Sequence, residues 1–231
     1  MLNSIIRVII PAFNEENAVG KVIAEIPPIV KEIIVVNNNS NDNTRTIAKQ
    51  AGATVIDEPV QGYGRACLKG IQYVKERFEN TDIIVFLDAD YSDYPEELTT
   101  LVQPILEEGK DLVIGSRKLG KKSKKSMTPQ QVFGNWLATK LIKLFYGVKF
   151  TDLGPFRAIK WEKLVALNMA DQTYGWTVEM QVKAAKHNFQ MIEVPVNYKA
   201  RIGKSKISGT VKGTILAGYK IISTILRELK R

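Results

Sequence analysis

The sequence predicts an α/β protein built on a mostly parallel sheet. Three observations carry this. Short β-branched runs alternate with helix-length stretches through the first 120 residues. Runs such as IIVV and IIVFL are apolar at consecutive positions, as strands covered on both faces require. Polar, ligand-type residues follow five of the runs directly.

In chain order, strands are expected at 7–10, 32–36, 53–56, 83–87 and 111–114, with helices between them at 15–26, 42–51, 64–79 and 95–108. Asn14 or Asn17 is placed to cap the first helix and Asp42 the second, and Pro95 suits the first turn of the fourth. Strands joined by helices of this length form right-handed crossover units. The segment KLGKKSKKSMTPQ, 118–130, holds five lysines and reads as a solvated loop, a lid or a membrane-surface contact. Helices follow at 130–146, 160–168 and 175–187, with TDLGPFRAIKW between the first two. A final strand is expected in QMIEVPVNYK, where Pro195 marks an edge or an end. Residues 1–209 are read as one domain, and 210–231 as an amphipathic helix with a basic side. Its apolar stripe is Val211, Ile215, Tyr219, Ile222, Leu226 and Leu229. Docking on the domain, self-association as a homodimer and an interfacial membrane position all fit that pattern.

The 33 Lys and Arg residues against 24 Asp and Glu give a net charge of +9, which favours an anionic partner. Nucleic acid is not expected, because the charge is not interleaved with aromatics and no recognition motif occurs. Cys67 and His187 are single representatives of their types, which excludes an internal disulfide and a His or Cys zinc site within one chain. No signal peptide or apolar run of spanning length is visible, so a cytoplasmic location is expected.

In a parallel α/β sheet, ligands bind beyond the carboxyl ends of the strands. The fourth strand ends in VFLDADYSDYP, where Asp88 and Asp90 can converge on a hard divalent cation that prefers oxygen donors. An Asp-rich turn can also simply cap a helix, and Asp93 reads that way. After the third strand, Gly62 and Gly64 allow close backbone approach to a ligand, and Arg65 supplies positive charge. Arg117 closes the fifth strand on the same edge. Trp176 is suited to stacking or to the core.

The motifs VIIPAFNEE, IIVVNNNSNDNT, GYGRACLKGI, VFLDADYSDYPEEL, LVIGSR, DLGPFRAI, GWTVEMQ and RIGKSKIS occur in that order across residues 5–210. The chain thereby resembles the family-2 nucleotide-sugar glycosyltransferases of GT-A fold, in the branch of the dolichyl-phosphate mannose and glucose synthases. The resemblance implies a nucleotide pocket containing Pro11, Asn14 and Glu15, base or ribose contacts from positions 37 and 38, and a Mg²⁺ or Mn²⁺ and diphosphate site at Asp88-Ala89-Asp90. The family usually carries Asp where this chain has Asn37 and Asn38. An amide accepts a hydrogen bond without charge, which bears on nucleotide choice, UDP being preferred over GDP here. The implied reaction is inverting sugar transfer to a polyprenyl phosphate at the inner face of the membrane. Arg201, Lys204 and Lys206 match the family's phosphate-binding segment, with Arg157 a second cation. For a hydroxyl acceptor, Asp152 or Glu179 is the candidate base. A soluble acceptor and a non-catalytic nucleotide-sugar-binding protein are the alternatives.

Overall fold

The computed structural model describes residues 4–121, 123, 126–203 and 211–229, of which 211–215 and 217 are described by backbone alone. Seven strands form one sheet: β1 (Ile6–Ala12), β2 (Val30–Asn37), β3 (Thr54–Asp57), β4 (Ile83–Phe86), β5 (Leu112–Ser116), β6 (Arg157–Lys160) and β7 (Met191–Pro195), in the order β3-β2-β1-β4-β6-β5-β7. All neighbours pair in parallel except β6, which runs antiparallel to both β4 and β5. The sequence analysis assigned no strand there. RAIK is four residues long and begins and ends with a charge, so it lacks the continuous apolar run that marks the others. Pro195 is the last residue of the edge strand β7, where a missing N–H costs nothing in the ladder.

The period-2 alternation of side chains divides the core. Val8 and Ile10 face helices α1 (Val19–Ala24), α2 (Thr44–Gln50) and α4 (Leu98–Glu108). Ile9, Ile34, Ile84 and Phe86 face the other layer, made by α3 (Tyr63–Arg77), α5 (Pro129–Tyr146), α6 (Trp161–Ala166) and α7 (Trp176–Lys186). Trp176 is fully buried against Phe86, ring centroids 4.6 Å apart, and belongs to this core.

The first two helices start later than the sequence pattern indicates. The first begins at Val19 with Ala18 as its uncapped N-cap, because Asn14 turns to accept from Asn41 N at 2.8 Å. Asp42 Oδ1 does accept from Thr44 N, but Asn43 occupies the N-cap position of α2. Thr128 and Gln131 form a reciprocal capping box on α5.

Helix α8 (Val211–Leu229) packs on α5 and α7. Among its described side chains Thr224, Ile225 and Glu228 are buried, and Tyr146 Oη donates to Ile225 O at 2.6 Å. Its expected apolar stripe mostly points the other way: Tyr219, Leu226 and Leu229 are exposed, while the Val211 and Ile215 side chains lie outside the described residues.

Gly70 of α3 sits where a Cβ would lie 2.6 Å from Cγ2 of the buried, β-branched Ile9. Gly70→Val is therefore expected to cost about 1–3 kcal/mol by overpacking. A fall in the thermal midpoint of about 2–4 °C per kcal/mol would register it.

Candidate functional site

The carboxyl ends of β1, β2 and β4, with the loops before α3 and α7, enclose a cleft with about 230 Å³ of free volume. Pro11, Ala12, Phe13 and Glu15 form one wall, Asn38, Gln61, Gly62 and Tyr63 a second, and Asp88, Ala89 and Asp90 the floor. Tyr174 and Arg201 close it from the C-terminal part of the chain. Sequence reasoning missed Phe13, Gln61, Tyr63 and Tyr174. The tyrosines had one available signal, since both lie beside glycines at a helix start.

The loops after β1 and β2 are zipped together. Asn38 N donates to Ala12 O at 2.8 Å, Asn14 N to Ser40 Oγ at 3.0 Å and Glu15 N to Thr44 Oγ1 at 2.7 Å. Asn14 and Asn39 take positive φ angles of 54° and 62°, a conformation Asn tolerates better than most residues. These contacts hold Glu15 in the cleft, while Asn14 is spent on the loop.

Asn37 does not line the cleft; its Nδ2 donates to Asp57 Oδ1 at 2.9 Å. A carboxylate at 37 would face that carboxylate instead. Asn38 Nδ2 donates to Glu58 O at 3.1 Å and Val60 O at 2.8 Å, and its Oδ1 accepts from Gly62 N at 2.8 Å. An amide does both, whereas a carboxylate can only accept. The two asparagines thus answer the needs of the loop that leaves β3, and Asn38 keeps one lone pair toward the cleft.

Gly64 is buried outside the cleft, contrary to its expected approach to a ligand. A Cβ there would lie 2.0 Å from Asp171 O, so what approaches it is the chain's own backbone. Arg65 N donates to Gln172 O at 3.0 Å, and the Arg65 side chain does not line the cleft.

At the floor, Asp88 Oδ1 accepts from Tyr63 Oη at 3.0 Å. Burial, reinforced by the charge of Asp90, pushes the Asp88 carboxyl up to about 7. Asp90 Oδ1 accepts from Ser92 N at 2.9 Å, and its Oδ2 meets Arg201 Nη1 at 3.1 Å. Arg201 Nη2 reaches Glu15 Oε1 at 2.6 Å. Among the described residues, no group of three or more His, Cys, Asp and Glu forms a ready metal cage. Two aspartates with oxygen donors, one raised by burial and a neighbouring negative charge, do fit a hard cation that takes its remaining ligands from phosphate. Asp93 is not a cap. Tyr94 holds the N-cap position of the following 3-10 turn, and both Asp93 oxygens are buried without a hydrogen-bond partner. Burial first, then Asp88 and Asp90, drive its carboxyl well above the usual range.

The expected catalytic and anion-binding residues outside the cleft are engaged elsewhere. Asp152 is buried and receives Arg117 N at 2.8 Å, Nε at 2.7 Å and Nη2 at 2.6 Å. Burial would raise its carboxyl, but the Arg117 charge and these bonds hold it below the usual range. That is the reverse of what a general base near neutrality needs. Arg117 is neutralised by the same pair and stacks over Tyr198, 5.0 Å from the ring centroid. Glu179 is fully buried, accepts from Asp171 N at 2.7 Å and Ala170 N at 3.1 Å, and pairs with Lys183 at 2.8 Å. Arg157 is fully buried, donates to Thr177 O at 2.9 Å and to the Leu153 and Gly154 carbonyls, and is pulled down to about 10 by burial. Lys204 and Lys206 lie outside the described residues.

Residues 7–164 match the family described as glycosyl transferase family 2. The chain belongs to that family. An uncharacterized glycosyltransferase of Mycobacterium tuberculosis is 33% identical over 96% of this chain and 100% of its own length. The dolichyl-phosphate hexose transferase of Haloferax volcanii is 28% identical over 98% and 96%. Among solved structures, glucosyl-3-phosphoglycerate synthase of M. tuberculosis, in complex with Mn²⁺, UDP-glucose and phosphoglyceric acid, superposes with a TM-score of 0.78. At 24% identity, it covers 98% of this chain and 80% of that one, and the shared arrangement is the GT-A fold. The matched segment ends before Tyr174 and Arg201, the two residues that close the cleft of this glycosyltransferase.

Asn38→Asp, although it restores the residue usual in the family, is expected to destabilise this protein by about 1–3 kcal/mol. The Glu58 and Val60 carbonyls would lose their donor. Chemical denaturation of the two forms checks this, and Asn38→Ser, which keeps a donor, should lose less.

Proposed function

We propose that this family-2 glycosyltransferase moves a hexose from a UDP-sugar to a polyprenyl phosphate at a membrane surface, with inversion. The observation that supports the donor half is the cleft in which Asp88 and Asp90 lie below the Pro11–Phe13 and Asn38 walls. Asp90 and Asp88 would hold Mg²⁺ or Mn²⁺, which supplies charge neutralisation of the departing diphosphate. Tyr63 orients the Asp88 carboxylate and Ser92 that of Asp90. Asn38 offers its remaining lone pair to the base imide.

For the acceptor, the state of the two base candidates matters. Asp152 and Glu179 are both buried and bonded, so neither is free to take a proton from a hydroxyl. A phosphate oxygen is already a nucleophile and needs only cations around it; Arg201 is in place, and Lys204 and Lys206 are assigned the same role. A lipid-borne phosphate also accounts for the surface. No described helix is long and apolar enough to cross a membrane. Yet α5 exposes Val132, Phe133, Trp136 and Leu144 alongside the exposed Lys140 and Lys143. Next to it, α8 exposes Leu216, Tyr219 and Leu226 around a shallow groove. Trp136 is 49% exposed and Tyr219 72%, which is unusual for aromatics unless something covers them. Apolar and aromatic side chains rimmed by lysine suit an anionic bilayer interface. A soluble phosphorylated acceptor is the second reading, favoured by the likeness to the phosphoglycerate synthase.

Incubation of labelled UDP-glucose with either polyprenyl phosphate or phosphoglycerate, with and without Mn²⁺, separates the two. Labelled lipid formed only with metal is the expected result, and Asp90→Ala should lower its rate by at least roughly a hundredfold. Labelled phosphoglycerate in its place would install the second reading. In a vesicle sedimentation assay, the pair Phe133→Ser and Trp136→Ser should abolish binding to anionic vesicles and leave UDP binding unchanged.

A further inference from the structure

We infer that Arg201 is a stand-in cation, and that its displacement couples metal binding to nucleotide binding. The inference rests on the donor site proposed above. Arg201 places one guanidinium nitrogen 2.6 Å from Glu15 and another 3.1 Å from Asp90, bridging two loops that repel one another without it. The planar fork of arginine spans two carboxylates in this way, whereas a lysine would meet them as a single point.

The Asp90 oxygen that Arg201 holds, Oδ2, is the one Ser92 leaves free. A divalent cation therefore competes with the guanidinium for it. A cation arriving alone must break the Arg201–Asp90 contact and then face a guanidinium left with Glu15 as its carboxylate partner across a small cleft. A cation arriving with a diphosphate gives the guanidinium a new anionic partner. Three observations indicate that Arg201 can change partner without the chain moving away. The backbone beside it is pinned to the aspartate turn, Lys199 N donating to Ser92 O at 2.9 Å and Ile202 N to Asp90 O at 3.0 Å. The side chain lines the same cleft as Asp88, so a diphosphate there lies within its reach. Its Nε is buried without a hydrogen-bond partner, so the present arrangement leaves one donor for an incoming acceptor. Coupling of this kind is reciprocal: nucleotide strengthens metal binding by the factor with which metal strengthens nucleotide binding.

The experiment is a Mn²⁺ titration of the full chain by electron paramagnetic resonance, with and without UDP. Wild type should bind Mn²⁺ weakly alone and roughly tenfold or more tightly with UDP. Arg201→Met should bind Mn²⁺ alone roughly tenfold more tightly than wild type, and the further strengthening by UDP, which keeps the direct metal–phosphate ligation, should shrink by about the same factor. Arg201→Lys, which keeps the charge without the fork, should fall between them. It decides the matter if the Met variant melts early. Unchanged or weaker nucleotide-free Mn²⁺ binding in a folded variant overturns the coupling and leaves the donor site intact. Failure of wild type to bind Mn²⁺ even with UDP overturns both.

Discussion

Negative charge gathered at the end of a buried strand is the constraint on which this structure turns. Three aspartates follow β4 within six residues, and the low-polarity sheet beneath them cannot screen their repulsion. The fold meets the difficulty in three ways. Tyr63 donates to Asp88, Arg201 spans Asp90 and Glu15, and Asp93 is driven toward its neutral form. Each remedy comes from a different part of the chain. The C-terminal third is consequently held against the β4 turn by charge as well as by packing, through Arg201, the Asp93–Tyr198 bridge and the Lys199 ammonium over the Tyr91 ring.

A second balance of the same kind lies deeper. Arg117 and Asp152 neutralise each other behind the cleft, joining the end of β5 to the loop before β6. Arg157 has no carboxylate and is satisfied by backbone carbonyls. These charges are structural. Breaking the first pair would leave an uncompensated ion in the interior, a far larger penalty than the net worth of the pair itself.

Much of this was legible in the sequence because burial on two faces writes long apolar runs. That is how β1, β2, β4 and β5 declared themselves, and the DAD turn followed from its place at a strand end. What remained hidden depends on partners distant in sequence. Arg157, Asp152 and Glu179 resembled reactive groups because charge is visible and burial is not. Asn37 and Asn38 resembled lost acidic residues, because nothing local reveals Asp57 or the Glu58 and Val60 carbonyls opposite them. The stripe on α8 was visible, but the direction it faces was not. The docked face uses Thr224 and Glu228 as well as Ile225, so hydropathy alone did not mark it, and the stripe it did mark includes the exposed Tyr219, Leu226 and Leu229.

The reversed strand β6 separates the sheet into two parallel blocks. β1 to β4 form a continuous parallel block that carries the Pro11, Asn38 and DAD loops, whereas β5 and β7 stand beyond β6 and carry the segment leading to Arg201. Such a seam makes the architecture modular. The loops of one block can change without disturbing the strands of the other. A relative named a dolichyl-phosphate hexose transferase and a phosphoglycerate synthase of the same fold are consistent with such a divided sheet.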